Sequence, residues 1–536
     1  MGRHEAVLAI DLGTGGPKTA FVTVDGDVLG HELVPVTTAL LPGGGAVQDP
    51  DAWWDAIRGS ARRLVEAGTV RPDDVVGVTC TGQWGSTVPV GPDGTAVGPC
   101  LLWMDARGGR YSPAVLGGKG PVEVEGYGPT KALRFIRVSG GAPALAGNDP
   151  LGHILYLRNE EPDIYRAASV FLEPVDYLGL RFTGRVVATP ASMILSWLID
   201  IRDLSRPAYS PDLLRLTTRD ADKLPELVPT GSVAGGLAAD VADELGLPAG
   251  IPVVTGVPDL LSATTGSGAL DDYELHMAIS TTSWLSCHVP FKKTDPFRQM
   301  ATVPGVRPGR YLVANNHDTA GICLEWFRDA MFAPVPGGEP AAPPPSYAAL
   351  DEVVEATEPG SGGVLFAPWL GGERCPVDDR TLRGSFLNVS LSTTRDHMLR
   401  ALFEGVALNA RWMQDAVEHF LKRPTGPIRF IGGGASSDVW CQIHADVMER
   451  PVHQVAQPLL ANVRGAALYA ALALEKTDLA GAAAASTVAR VFEPRPENGA
   501  LYRELYEHFH NLYRQQRHMY AALNRPGGPF DRSEGR

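Results

Sequence analysis

Near the start of the chain two apolar runs flank a short small-residue loop: "AVLAIDL", then "GTGGPK", then "TAFVTV" closing on Asp25-Gly26-Asp27. The second run is β-branched and aromatic and ends in a turn, so residues 5–11 and 19–24 read as two antiparallel strands joined by a hairpin. Residues 49–68 switch to helical spacing, with Trp53, Ile57, Ala61 and Leu64 on one stripe and Gly68 as a stop. "VVGVTCTG" (75–82) reads as a buried strand, and "PCLLWMDAR" (99–107) as an apolar run ending in charge. Around residue 250 the pattern restarts. "GIPVVTGVPD" is a strand running into a turn, and 274–289 is strand, Ser/Thr turn, strand. Two hairpins of one layout in one chain predict an α/β protein of two similar domains, 1–255 and 256–536. Residues 396–421 form a long amphipathic helix, with Leu399, Leu402, Phe403, Val406, Ala410, Met413, Val417 and Phe420 at three- and four-residue steps. Strand, triple Gly and helix follow at 429–448, then a small-residue helix after Asn462 and a polar C-terminal helix over 498–524. The Pro- and Gly-rich stretch 333–347 reads as a stiff surface loop.

Composition narrows the function. A chain of 536 residues exceeds one hydrophobic core, which agrees with the repeat. Net charge of −14 argues against a general nucleic-acid binder, though not against a nucleotide held by local loops. The six cysteines (80, 100, 287, 323, 375 and 441) are scattered without C-x-x-C spacing, which fits reduced thiols in a cytoplasmic protein. The first strand begins almost at the N-terminus, leaving no room for a signal peptide, and no apolar run reaches the ~18–20 residues that span a bilayer.

The first loop invites comparison with a Walker A phosphate cradle, since Lys18 and Thr19 follow glycines. Pro17 stands where the last Gly belongs and removes a backbone N–H, and a strand follows instead of a helix. A hairpin offering N–H groups, a hydroxyl and a Lys can still hold phosphates. Asp11, on its first strand, suits a bridging divalent cation. Three loops, 13–18, 280–283 and 432–437, share this small, hydroxyl- and Gly-rich character at strand ends; each alone is more often just a turn, and together they fit a nucleotide held between two domains. The third, "GGGASSD", opens a helix, but without G-x-G-x-x-G and a downstream acid it does not support a dinucleotide fold. Asp259 follows Pro258 at the start of a helix. Two readings stand open there: an N-cap Asp, or a general base for phosphoryl transfer to an alcohol. Gln83, Trp84, Trp103, Asp105 and Arg107 follow strands of the first half. They suit a polyol, or equally a buried Trp pair with a surface salt bridge.

In this order the motifs are identifiable. "AIDLGTGGPKTAF", "TGQWGS", "LLWMDARG", "GVPD" with "TGSGAL", "ISTTSWL", "AGICLEWFRD", "FIGGGASSDVWCQIHADVM" and "NVRGAALYAAL" run from residue 6 to about 475. The chain resembles the FGGY carbohydrate kinase family of the actin-like ATPase superfamily, xylulokinase-like members above all. The resemblance implies two ribonuclease H-like domains with a deep cleft between them. It implies ATP, Mg²⁺ and transfer of phosphate to a terminal hydroxyl of a D-xylulose-like ketopentose. It assigns Asp259 as general base, near the sugar and the metal, and Asp11 as the metal carboxylate. Thr14, Lys18 and Thr282 fall to the phosphate hairpins, and Gly321, Glu325, Gly434, Ala435 and Asp438 to the nucleotide. Gln83, Trp84, Trp103 and Asp105 fall to the sugar. It also allows a homodimer, with a small sugar or polyol as the only other partner. Two departures stand out. Many xylulokinase-like proteins carry Met-His-Gly after the Gln, where this chain has Trp84-Gly85-Ser86, and Gly15, Gly16 and Pro17 replace the usual small hydroxyl residues. Other pentuloses, short polyols such as erythritol or glycerol, and a non-catalytic sensor on the same scaffold therefore remain open readings.

Overall fold

The computed structural model describes residues 5–117, 126–332 and 344–525. The Pro-rich stretch falls mostly on 333–343, outside the described residues.

The first half builds a mixed sheet. Strand β1 (Ala6–Gly13) turns into β2 (Gly16–Thr23), which pairs onward with β3 (Val28–Leu33). The chain then forms the short strand β4 (Gly45–Gln48) and helix α1 (Pro50–Glu66). Asp49 caps α1 by accepting from the Asp51 N–H, and Pro50 fills the first helical position, where its missing N–H matters least. The predicted stripe of Trp53, Ile57, Ala61 and Leu64 is buried. Strand β5 (Val75–Gly82) lies parallel to β1, and β6 (Cys100–Leu101) pairs antiparallel with β4. β7 (Val233–Gly236) and β8 (Pro252–Val254) complete the order β7-β8-β5-β1-β2-β3, and β9 (Val257–Pro258) adds a short parallel pairing with the end of β5.

Helix α2 (Asp259–Ser267) leads into the second half. There β10 (Leu275–Ile279) and β11 (Ser283–Ser286) form a hairpin. Helices α3 (Gly321–Met331) and α4 (Arg395–Leu421) follow, then β12 (Ile428–Ile431), parallel to β10. After α5 (Asp438–Met448) and β13 (Val452–Val455) come α6 (Ala461–Ala473), β14 (Val488–Phe492) and α7 (Pro496–Leu523). The second sheet has the order β11-β10-β12-β13-β14. In both sheets the first strand of a hairpin has its antiparallel mate on one side and a parallel strand on the other, as the repeated sequence layout predicts.

The two halves interlock through α2 and α6. Helix α6 packs on β1, β2 and β5 of the first sheet, while α2 lies against β10 and β12 of the second. The helices meet backbone to backbone. A Cβ on Gly266 would fall 1.8 Å from the Ala461 carbonyl oxygen, and one on Gly465 would fall 1.8 Å from that of Ser262. Only glycine permits such an approach. The C-terminal helix α7 differs from its polar reading. Tyr502, Leu505, Phe509, Leu512 and Tyr520 are buried, and Phe509 and Tyr513 pack against Trp369 and Trp412.

Candidate active site

Strand register places the two key carboxylates. Asp11 on β1 lies opposite Lys18 on β2 and Thr81 on β5, and Thr81 pairs with Val257 on β9. Asp259 therefore stands two residues beyond that row, where the sheet ends and α2 begins. Pro258, which has no side-chain donor or acceptor, occupies the N-cap position, and no side-chain capping bond is made there. The reading of Asp259 as an N-cap is thus set aside. The Thr81 hydroxyl donates to the Ser262 Oγ at 2.8 Å inside the protein and ties the first turn of α2 to β5. Burial, with the charge of Asp11 added, pushes Asp259 up to about 7, against a weaker opposing pull from the Leu260 N–H. Burial also raises Asp11, and Lys18, whose Nζ is 3.9 Å from the carboxylate, pulls it back.

Three loops gather around the ends of these strands. The first hairpin closes on the Gly13–Gly16 pair with Thr14 and Gly15 at its tip. Gly16 has φ +137°, and a Cβ there would fall 2.1 Å from the Val34 carbonyl oxygen, while one on exposed Gly15 would meet nothing within 4 Å. Lys18 Nζ donates to the Leu459 carbonyl at 2.8 Å, reaching from the first half into the second. The second hairpin exposes Ser280 and Thr281 at its tip, with Thr282 half-buried. The Gly321 and Ala320 N–H groups donate to the Ser280 and Thr281 carbonyls at 2.7 and 3.0 Å, seating the start of α3 on this hairpin. Gly321 approaches so closely that a Cβ would lie 2.3 Å from the Ser280 oxygen, and Glu325 is exposed one turn further on. In the third loop Gly434 packs on Ile279 at the end of β10, and Ala435 is buried, its carbonyl accepting from Gln454 Nε2 at 2.8 Å. Asp438 is exposed and takes Gln454 Nε2 at 2.9 Å and Arg490 Nη1 at 2.5 Å.

The remaining predicted residues line the first half. Gln83 is buried, with its backbone N–H donating to the Leu12 carbonyl at 2.9 Å. Trp84 is half-buried and its indole N–H donates to the Ser192 carbonyl at 2.8 Å. Trp103 Nε1 donates to Thr14 Oγ1 at 3.2 Å, so this indole touches the tip of the first hairpin. Asp105 is placed differently from the expectation. It has no exposed surface, and its oxygens accept from the Ala46 and Arg107 N–H groups and from the Arg107 guanidinium at 2.7 Å. No lone pair is left facing the cleft, and the salt bridge with Arg107 is buried, not on the surface.

Comparison with known proteins decides the family. The N-terminal domain of the FGGY family of carbohydrate kinases matches residues 6–114 and 131–266, and its C-terminal domain matches 276–474. The chain belongs to this family. It is a carbohydrate kinase, and the family implies ATP as phosphate donor. A xylulose kinase of Staphylococcus epidermidis is 27% identical over 97% of this chain and 98% of its own length. A gluconokinase of Bacillus licheniformis is 24% identical over 96% and 97%. The fold is that of the ligand-bound xylulose kinase from Lactobacillus acidophilus, with a TM-score of 0.82 at 20% identity over 96% of this chain and 99% of that one. This is the two-domain actin-like ATPase architecture.

Two buried residues that bond to the predicted site residues are not singled out by the sequence. Gln48, at the end of β4, bonds to Thr14, Thr38, Trp53 and Gln83 at once. Glu173, buried, accepts from the N–H groups of Gly85 and Ser86 at 3.1 and 3.2 Å, and Ser86 Oγ accepts from the Trp103 N–H at 3.0 Å. The Glu173 partners are nearly ninety residues away, and Gln48 is met by Trp53 of the next helix and by Thr14 and Gln83 from more distant segments. The carboxylates of Asp11, on the first hairpin, and of Asp259 are hard oxygen donors of the kind that suits a divalent cation. Among the described residues no group of three or more His, Cys, Asp or Glu side chains could cage a metal. Mg²⁺ is typically held by one or two carboxylates plus substrate phosphates, which matches this donor set. All six cysteines are buried and free. Among the described residues no helix is long and apolar enough to cross a membrane.

Proposed function

We propose that this FGGY kinase transfers the γ-phosphoryl group of ATP to a terminal hydroxyl of a ketopentose of the D-xylulose type, with Asp259 as general base. One observation carries the reading. Asp259 is a half-buried carboxylate at the mouth of the site, free of any capping role, with its proton affinity brought to about 7 by burial and Asp11. A base so tuned accepts a hydroxyl proton near neutral pH. Asp11, with Asp259 beside it, would hold Mg²⁺, which when bound neutralises charge on the phosphates. Thr14, Lys18 and Thr282 steady the phosphates. Gly321, Glu325, Gly434, Ala435 and Asp438 bound the nucleotide side, where Gly321 and Gly434 act by allowing close approach of neighbouring loops. Gln83, Trp84 and Trp103 meet the sugar, and Asp105 supports them by fixing the loop that carries Trp103. The domains divide near residue 256, and their closure excludes water and limits idle ATP hydrolysis. The enzyme works in the cytoplasm, as its reduced, buried thiols suit.

Relatives named xylulose kinase that align over nearly the whole chain favour D-xylulose. The indole of Trp84 after Gln83, and gluconokinases at similar identity, keep other substrates in the test. The test is ³¹P NMR of the product after incubation with ATP, Mg²⁺ and each of D-xylulose, L-xylulose, D-ribulose, L-ribulose, erythritol, glycerol and gluconate. A phosphomonoester on the terminal carbon of D-xylulose is the expected result. Phosphorylation of another member of the panel alone would overturn the substrate, and none at all would overturn the reading.

A further inference from the structure

Gln48 is 2% exposed, and its amide is fully engaged. Its Nε2 donates to the Thr14 carbonyl at 2.7 Å and to Thr38 Oγ1 at 2.9 Å. Its Oε1 accepts from Trp53 Nε1 at 3.0 Å and from Gln83 Nε2 at 3.3 Å. The orientation is forced by chemistry. A backbone carbonyl only accepts and an indole N–H only donates, so the Gln48 amide has one sense. The Gln48 oxygen can in turn be met only by the NH₂ of Gln83. That leaves Gln83 Oε1 turned away from Gln48, buried and without a partner in the protein. A buried acceptor left unpaired is unfavourable unless a ligand or water supplies a donor. Gln83 directly follows β5, whose last residue pairs with Pro258, the neighbour of Asp259.

Resting on the kinase reading above, we propose that Gln48 is a positioning residue that locks the Gln83 amide with its oxygen toward the sugar, so that the site selects a substrate hydroxyl acting as donor at that point. The same amide grips Thr14, so the sugar-side acceptor and the tip of the phosphate hairpin are registered to each other through one side chain.

The test uses monofluoro analogues of the sugar the native enzyme phosphorylates, one hydroxyl replaced at a time. Fluorine cannot donate. Native enzyme is expected to lose about 10-fold or more in kcat/KM for one analogue relative to the parent sugar. In Gln48→Met the Gln83 amide is free to turn its NH₂ to the ligand, and that discrimination is expected to fall at least fivefold. Gln48→Glu keeps an oxygen for Trp53 and Gln83 but disturbs Thr14. It is expected to retain the discrimination while kcat falls, a split that a merely structural loss does not produce. Should Gln48→Met fail to fold, Gln83→Met is the second variant, expected to abolish the discrimination outright. Equal discrimination in native enzyme and in Gln48→Met, or in Gln83→Met if that variant is used, overturns this inference alone. Failure of the native chain to turn over any sugar overturns the kinase reading, and this inference with it.

Discussion

Asp11 and Asp259 stand on either side of β5, Asp11 in the row shared by Thr81 and Val257 and Asp259 two residues beyond it. Burial, with the charge of Asp11 added, raises Asp259 to about 7, while burial also raises Asp11 and Lys18 at 3.9 Å pulls it part of the way back. Burial raises both carboxylates, and only Asp11 has a lysine beside it to pull it back, which sets the two acids apart in their affinity for a proton.

The pH dependence follows from that division. Below about pH 7 Asp259 is protonated and cannot accept the proton of the attacking hydroxyl. With the acceptor sugar at low concentration, kcat/KM should rise about tenfold per unit on the acid side and level off above the Asp259 value. A profile flat from pH 5 to 8 would count against Asp259 as base.

Stability should show the opposite trend. The folded carboxylate binds its proton more tightly than the unfolded one, whose usual value is 3.8. Between those values the folded state holds more protons, so raising pH from about 4 to about 7 removes stability, and the loss is complete above. Asp259→Asn lacks this loss. Its melting temperature should exceed that of the native chain by a few degrees at pH 8, with the gap closing toward pH 4.

The α2–α6 crossing offers a steric test. An alanine methyl at position 465 would land 1.8 Å from the Ser262 carbonyl oxygen, against backbone that cannot rotate away. Overpacking of this kind costs about 1–3 kcal/mol, and more where backbone opposes it. Gly465→Ala should lower the melting temperature by about 5 °C or more. It should also reduce kcat, because α2 carries Asp259.

Lys18 reaches across the two halves to the Leu459 carbonyl and faces Asp11. Replacing it with Met removes a positive charge from the hairpin proposed to hold the phosphates. A charged hydrogen bond to phosphate is worth about 1.5–3 kcal/mol, so the KM for ATP should rise about tenfold or more with little change in that for sugar. A rise confined to the sugar KM would place Lys18 elsewhere in the mechanism.

Much of this was legible in the sequence. Both hairpins were, because their tips carry Gly, Ser and Thr between β-branched runs, and so was α4, because its apolar residues repeat at helical spacing. Asp259 could be placed at a helix start, but only the structure shows that Pro258, not Asp259, occupies the cap. Asp105 could not be seen as buried, because its donors on Ala46 and Arg107 come together only when β4 meets the loop after β6. Gln48 was invisible for the same reason, since Thr14, Trp53 and Gln83 reach it from three separate segments. The C-terminal helix is another matter. Tyr502, Leu505, Phe509 and Leu512 repeat at three- and four-residue steps, and that stripe was present beneath the charged residues that made the segment look polar.

The most direct test of the central claim is ADP formation by the native chain and by Asp259→Asn, with ATP, Mg²⁺ and the sugar panel, alongside thermal shift with the same sugars. The account predicts turnover of one sugar by the native chain. It predicts a fall in kcat of about 10²–10⁴ in Asp259→Asn, with sugar still stabilising the variant. Turnover by Asp259→Asn at the native rate, or no ADP above the blank with any sugar, would contradict it.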